Sequence, residues 1–224
     1  MSITTILPRV HIGEVIRKAI VFSPVNVQGD SMDSDPLVET VARFFSILGD
    51  RQIEYVLVGG IALLQYIEGR NTEDIDLIMT RASLKQIPEI VVETEDADLA
   101  RAKFDDLRVD LLLTTNPLFE EVRRHHTTLQ RFVEQEIPCA TVEGLILFKL
   151  YALPSLYRQG NFARVGLYEN DIATLIHDYD PPLERLFAQL APHLSDSDLA
   201  QVKGIVAELQ QRIRRFSEGF TDGE

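Results

Sequence analysis

Apolar residues fall into two regimes along the chain. Over residues 36–49 they recur at Leu37, Val41, Phe44, Phe45 and Leu48, the spacing of a helix with one buried face. Asp35 and Pro36 supply a helix cap and a first helical residue just before it. Residues 53–58 form a short apolar run that stops at Gly59-Gly60, which predicts a buried strand leading into a turn, with a helix over 61–67. Further strands are predicted over 75–79, 91–94, 102–104, 109–113 and 137–140, with a helix over 117–124. Beyond Thr141, which caps a helix over 142–153, the pattern is helical: 168–177, 182–194 and 195–216.

Strands first and helices second predict an α+β body with a mixed sheet, followed by a helical C-terminal lobe. The division expected is an N-terminal extension over 1–31, a core over 32–140 and the lobe over 141–224. Residues 10–22 are amphipathic and 26–31 polar, and Met32 is a candidate natural start. Two readings of the first 31 residues stand: an extension, or an N-terminal helix packed on the body.

The 224 residues are 45% hydrophobic and 25% charged, which excludes wholesale disorder, collagen-like sequence and a disulfide scaffold. No apolar run reaches the roughly 18 residues needed to cross a bilayer, and the start lacks a secretory signal pattern. Cys139 is the single cysteine, so no intrachain disulfide forms and a reducing cytoplasm is the expected compartment. The net charge of −13 makes non-specific nucleic-acid binding unfavourable, because phosphate contacts dominate that affinity. It leaves room for a local basic groove, or for a nucleotide held through metal ions.

The chemistry concentrates between residues 55 and 110. Asp74 and Asp76 stand two apart on a predicted strand, so both carboxylates point to one side. Held that close they repel unless a cation lies between them, and Mg²⁺ takes carboxylate oxygens while leaving positions for phosphates. Asp110 sits inside another apolar strand, where a charge is costly unless paired or metal-bound. Three such carboxylates in one place would suit two metal ions and in-line phosphoryl chemistry. Gly59-Gly60 lets backbone approach a ligand closely, and a helix start there offers N–H groups to phosphate.

Strand, Gly-Gly, helix, the loop Arg70-Asn71-Thr72 and then Asp-Ile-Asp resembles the nucleotidyltransferase superfamily, with its polymerase-beta-like fold. Gly59, Gly60, Asp74, Asp76 and Asp110 match its signature in order; many members carry Ser where this chain has Gly60. The resemblance implies that Asp74, Asp76 and Asp110 bind two Mg²⁺, or Mn²⁺, and that a nucleoside triphosphate is the substrate, losing pyrophosphate. Gly59 and Gly60 would cradle the triphosphate. Arg70 is either a surface arginine or a contact to phosphate or base, and Thr72 would orient a phosphate.

Downstream, Lys149 lies on the same face as Leu145 and Leu153 in an apolar helix, either as a stem laid on apolar surface or as a phosphate-binding cation. Arg158 and Arg164 follow in what reads as a loop. Asp171 is either a first-turn acid favoured by the helix dipole or a site residue. Lysine, an arginine-bearing loop and Asp-Ile-x-x-Leu resemble the AbiEii branch, which includes MenT-like toxins of bacterial toxin–antitoxin and phage-defence systems. That resemblance, over about residues 37–177, places Lys149 and Asp171 in the active site; members often have Lys before the aspartate, whereas this chain has Asn170. It implies a tRNA or protein acceptor and a cognate antitoxin as a separate partner. His125-His126, beside Arg123-Arg124, reads as a solvated basic patch rather than a chelating pair. The competing expectations are transfer of a nucleotide to protein, and a catalytically lapsed nucleotide- or protein-binding module.

Overall fold

The computed structural model describes residues 9–21, 36–69 and 72–219, with side chains placed for all but a few of them at the helix ends. Asp35, Met32 and Arg70 therefore lie outside the described residues. The chain divides into two compact units, Met1–Thr141 and Val142–Glu224.

The first unit is built on a seven-stranded mixed sheet. Its elements run α1 (Ile12–Val21), α2 (Pro36–Asp50), β1 (Tyr55–Val58), α3 (Gly59–Leu63), β2 (Asp74–Met79), α4 (Arg81–Leu84), β3 (Ile90–Glu95), β4 (Leu99–Phe104), β5 (Leu107–Leu113), α5 (Pro117–His125), β6 (Thr127–Arg131) and β7 (Glu136–Ala140). The strand order is β3-β4-β5-β2-β1-β7-β6. β2 pairs antiparallel with β1 and parallel with β5, and β1 pairs parallel with β7. The remaining neighbours are antiparallel.

Alternation along β4 and β5 gives this sheet two unlike faces. Ala100, Ala102, Phe104, Leu107, Val109, Leu111 and Leu113 are buried, while Arg101 and Arg108 between them are exposed. α2 covers the apolar face with Val41, Phe44, Phe45 and Leu48, the positions that its spacing predicts, and the Phe44 ring lies 5.1 Å from that of Phe104. Each such side chain contributes about 1.5–3 kcal/mol by leaving water. α1 lies against α2 with Ile12 and Ile16 fully buried. Its entry is fixed by Glu134, whose Oε1 accepts from the Gly13 N–H at 3.1 Å and lies 3.0 Å from His11 Nδ1.

The second unit is helical among its described residues: α6 (Val142–Arg158), α7 (Phe162–Tyr179), α8 (Leu183–Leu190), a short 3₁₀ turn (Ala191–His193) and α9 (Asp196–Gly219). α6 runs past the expected stop at residue 153, with Pro154 inside it, and α7 begins at Phe162 rather than 168. Arg158 and Arg164 therefore stand on helices, not in a loop. The polar strand β6 was not expected from sequence, and β4 starts earlier than 102. His126 is buried, which corrects the reading of the His125-His126 pair as wholly solvated. No helix among the described residues is long and apolar enough to cross a membrane.

Candidate active site

β1 is buried along its whole length and delivers Gly59 to the sheet's end with φ +66°, a left-handed conformation that glycine adopts without cost. The close approach here is as important as the dihedral. A Cβ on Gly59 would overlap Oδ2 of Asp76. A Cβ on Gly60 would lie 2.7 Å from Cβ and 2.8 Å from Oγ1 of Thr72. Thr72 Oγ1 in turn donates to Asp74 Oδ1 at 2.7 Å. Each glycine thus abuts one end of the Asp74–Asp76 pair, Gly59 directly and Gly60 through Thr72.

Register brings the third carboxylate in. β2 and β5 run parallel with Asp76 directly beside Asp110 and Asp74 beside Arg108. Laterally paired residues share a sheet face and adjacent strands lie about 4.8 Å apart. Asp74, Asp76 and Asp110 therefore stand on one face, all partly exposed, opposite the apolar face that carries Ile75, Leu77, Val109 and Leu111. Like charges placed side by side in a sheet are unfavourable unless a partner offsets them.

The donor set is hard carboxylate oxygen, which fits Mg²⁺ or Mn²⁺ in chemistry and in placement on one face. Among the described residues, no group of three His, Cys, Asp or Glu side chains is already gathered as a metal cage.

Arg101 was not singled out in the sequence. β4 places it in register with Asp110, on the side away from Asp76. One row across the sheet therefore reads Val58, Asp76, Asp110, Arg101, Thr94. The next row reads Asp74, Arg108, Lys103, Val91.

In the second unit, Lys149 and Asp171 form a buried ion pair, Nζ to Oδ2 2.8 Å, with side chains 7% and 0% exposed. The Lys149 ammonium also sits 4.4 Å from the centroid of the Tyr168 ring. Asp171 is thus a core residue of α7, not an exposed first-turn acid. Arg158 lies in the last turn of α6 and pairs with Asp198 at 2.7 Å on the surface.

Comparison with protein-family models and with curated proteins gives no match. Solved structures do match in fold. A nucleotidyltransferase-like antigenic protein from Paracoccidioides brasiliensis superposes with a TM-score of 0.52 at 19% identity, over 84% of this chain and 93% of that one. ANT(2'')-Ia, solved in complex with adenylyl-2''-tobramycin, superposes with a TM-score of 0.48 at 12% identity, over 78% of this chain and 97% of that one. The mixed α+β fold of this chain is the one seen in the Paracoccidioides nucleotidyltransferase-like protein.

Proposed function

We propose that the protein is a metal-dependent nucleotidyltransferase that moves a nucleotide from a nucleoside triphosphate to an acceptor. The observation that carries this reading is the lateral pairing of Asp76 with Asp110, with Asp74 on the same face and Gly59 pressed against Asp76. Asp74, Asp76 and Asp110 would hold Mg²⁺ or Mn²⁺. Bound there, the cations supply Lewis-acid activation of an attacking hydroxyl and neutralise charge on the departing pyrophosphate.

The chain's own groups do the rest. Gly59 and Gly60 leave a stretch of backbone without side chains beside the carboxylates, where a polyphosphate can come close. Thr72 fixes the Asp74 carboxylate in one orientation. The resemblance alone would assign Arg70, Lys149 and Arg158 to the triphosphate, and Asp171 to positioning a group or acting as a base on the acceptor hydroxyl. Lys149 is already neutralised by Asp171, so its first contribution is to join α6 to α7.

The acceptor in this reading is tRNA, in a toxin of a bacterial toxin–antitoxin or phage-defence module with a separate antitoxin. The test is incubation with each radiolabelled nucleoside triphosphate, Mg²⁺, and either total RNA or lysate protein. Label in RNA that is lost in Asp76→Ala supports the reading. Label in protein alone replaces it with protein nucleotidylylation. No transfer, with Asp76→Ala binding nucleotide as the parent does, replaces it with a catalytically lapsed binding module.

A further inference from the structure

One hydroxyl stands between the glycine turn and the carboxylates. Thr72 is half-buried in the loop that enters β2. Its side chain fills the space over Gly60, where a Cβ would lie 2.7 Å from its Cβ and 2.8 Å from its Oγ1. The same Oγ1 donates to Asp74 Oδ1 at 2.7 Å and lies 3.4 Å from the Asp74 carbonyl oxygen. A threonine hydroxyl carries a single proton, so it makes one strong donor bond at a time. Here that bond goes to a carboxylate, the stronger, charge-assisted kind.

Both neighbours of this hydroxyl belong to the proposed site, one on the cation side and one on the phosphate side. The argument rests on the nucleotidyltransferase reading, in which Asp74 holds a cation and the triphosphate lies along Gly59 and Gly60. When Asp74 gives its oxygens to a cation it becomes a poor acceptor, because the positive charge repels the hydroxyl proton. The hydroxyl proton then needs another acceptor. Oγ1 already stands over the backbone of the turn, and rotation about the Cβ–Oγ1 bond alone re-aims the proton. We infer that the Thr72 hydroxyl is a positioning donor that changes acceptor, from Asp74 to a triphosphate oxygen, when Asp74 takes up its cation. The exchange makes the two ligands cooperative. Without the cation the donor is engaged by Asp74 and the triphosphate gains nothing from it; with the cation, the same donor strengthens triphosphate binding. The coupling is reciprocal, as linkage between two binding equilibria requires.

The experiment measures binding in the absence of turnover, on the full chain. Non-hydrolysable α,β-methylene analogues of ATP, GTP, CTP and UTP are titrated calorimetrically, once in excess Mg²⁺ and once in chelator. For the tightest binder, the ratio of the two dissociation constants is compared between the parent, Thr72→Val and Thr72→Ser. Valine keeps the shape over Gly60 and removes the hydroxyl. Thr72→Val is expected to bind the analogue like the parent in chelator and about tenfold more weakly in Mg²⁺, so the ratio falls about tenfold. Thr72→Ser should keep the parental ratio, and Thr72→Ala should match Thr72→Val. Mn²⁺ titrated alone should bind Thr72→Val at least as tightly as the parent, since no donor competes for Asp74. An unchanged ratio in Thr72→Val overturns the inference and leaves the hydroxyl a structural task only. Equal weakening in Mg²⁺ and in chelator also overturns it, because the donor then serves the triphosphate whether or not Asp74 holds a cation. Failure of the underlying reading looks different: the parent binds none of the analogues, or binds them alike in Mg²⁺ and in chelator, and the inference falls with it.

Discussion

The carboxylate of Asp76 lies against the backbone of Gly59 so closely that the smallest side chain at position 59 would occupy the space of its Oδ2. Gly59→Ala is therefore penalised twice. The left-handed backbone alone costs about 1–2 kcal/mol, and the carboxylate must move as well. The expected outcome is a lower midpoint in thermal unfolding and loss of nucleotide transfer. Gly60→Ala would meet the Cβ of Thr72 at 2.7 Å, which rotation of that side chain cannot relieve. It adds no left-handed strain and does not strike the carboxylate itself, so it is expected to lose less of both. Equal losses in the two variants would show that the Gly59–Asp76 contact has no special part.

Asp76 has a carboxylate beside it on the neighbouring strand and another two residues back on its own. Removing its charge relieves that repulsion. In metal-free buffer Asp76→Asn should be as stable as the parent or more so. Added Mg²⁺ should raise the melting temperature of the parent by about 2–4 °C for each kcal/mol of binding, and leave Asp76→Asn unmoved. Scanning calorimetry with and without a chelator reads both. A parent insensitive to Mg²⁺ and Mn²⁺ would remove the metal from the proposal.

Lys149 and Asp171 form a pair that is costly to break from one side. Lys149→Met strands a buried carboxylate and is expected to destabilise by about 3–5 kcal/mol. Adding Asp171→Asn removes the stranded charge, so the double variant should recover with a coupling energy of about 2 kcal/mol. Denaturant unfolding gives the cycle. If both groups also serve the reaction, the double variant folds yet transfers no nucleotide; a double variant with parental activity reduces the pair to a structural one.

Glu120 on α5 is gripped from two sides. Arg123 donates to both of its oxygens, at 2.7 and 2.9 Å, and Arg124 bonds it as well. Those hydrogen bonds, that of Arg123 foremost, hold its carboxyl down at about 2, below the ordinary 4.5. Because the folded value is depressed, the stabilisation is complete above pH 4.5 and disappears as pH falls toward 2. The stability gap between the parent and Glu120→Gln should be about 0.5–1 kcal/mol at neutral pH and close over that window. A gap independent of pH would contradict it.

Cys139 on β7 is fully buried, and desolvation pushes its thiol up to about 12. Since the thiolate is the reactive form, the native protein should resist a disulfide-exchange reagent at pH 8 and react at once in denaturant. A fast native reaction would mean that β7 opens readily.

The sequence exposed the parts of this fold whose signal is local. Asp-Ile-Asp with the apolar run after it announced β2, and Val109 to Leu113 announced β5, because short apolar runs carry both strands. Phe44, Phe45 and Leu48 announced α2 by their spacing. β6 was missed because Thr127-Thr-Leu-Gln-Arg is an edge strand with Leu129 exposed, so its pattern has no buried side to show. α6 was stopped short at Leu153 because proline breaks most helices, yet Pro154 is buried inside this one. α7 opens six residues earlier than predicted, since Phe162, Ala163 and Arg164 are exposed and Asn161 starts it by accepting from the Arg164 N–H. The three carboxylates could be named from sequence, but their meeting could not: that Asp76 faces Asp110, and Asp110 faces Arg101, is a matter of register between strands. The same limit hid the partnership of Lys149 with Asp171 across two helices.

The parallel pairing of Leu57 with Cys139 closes a long loop of chain, whereas β3, β4 and β5 are joined by short hairpin turns. Nearby pairings form early and distant ones late, because the entropy of closing a loop is lost before its contacts form. β1 must therefore wait, apolar and open on one side, until β7 arrives to cover it. During refolding that naked edge is open to pairing with other chains, so dilution should favour recovery, and disappearance of the Cys139 thiol from solvent marks the arrival of β7.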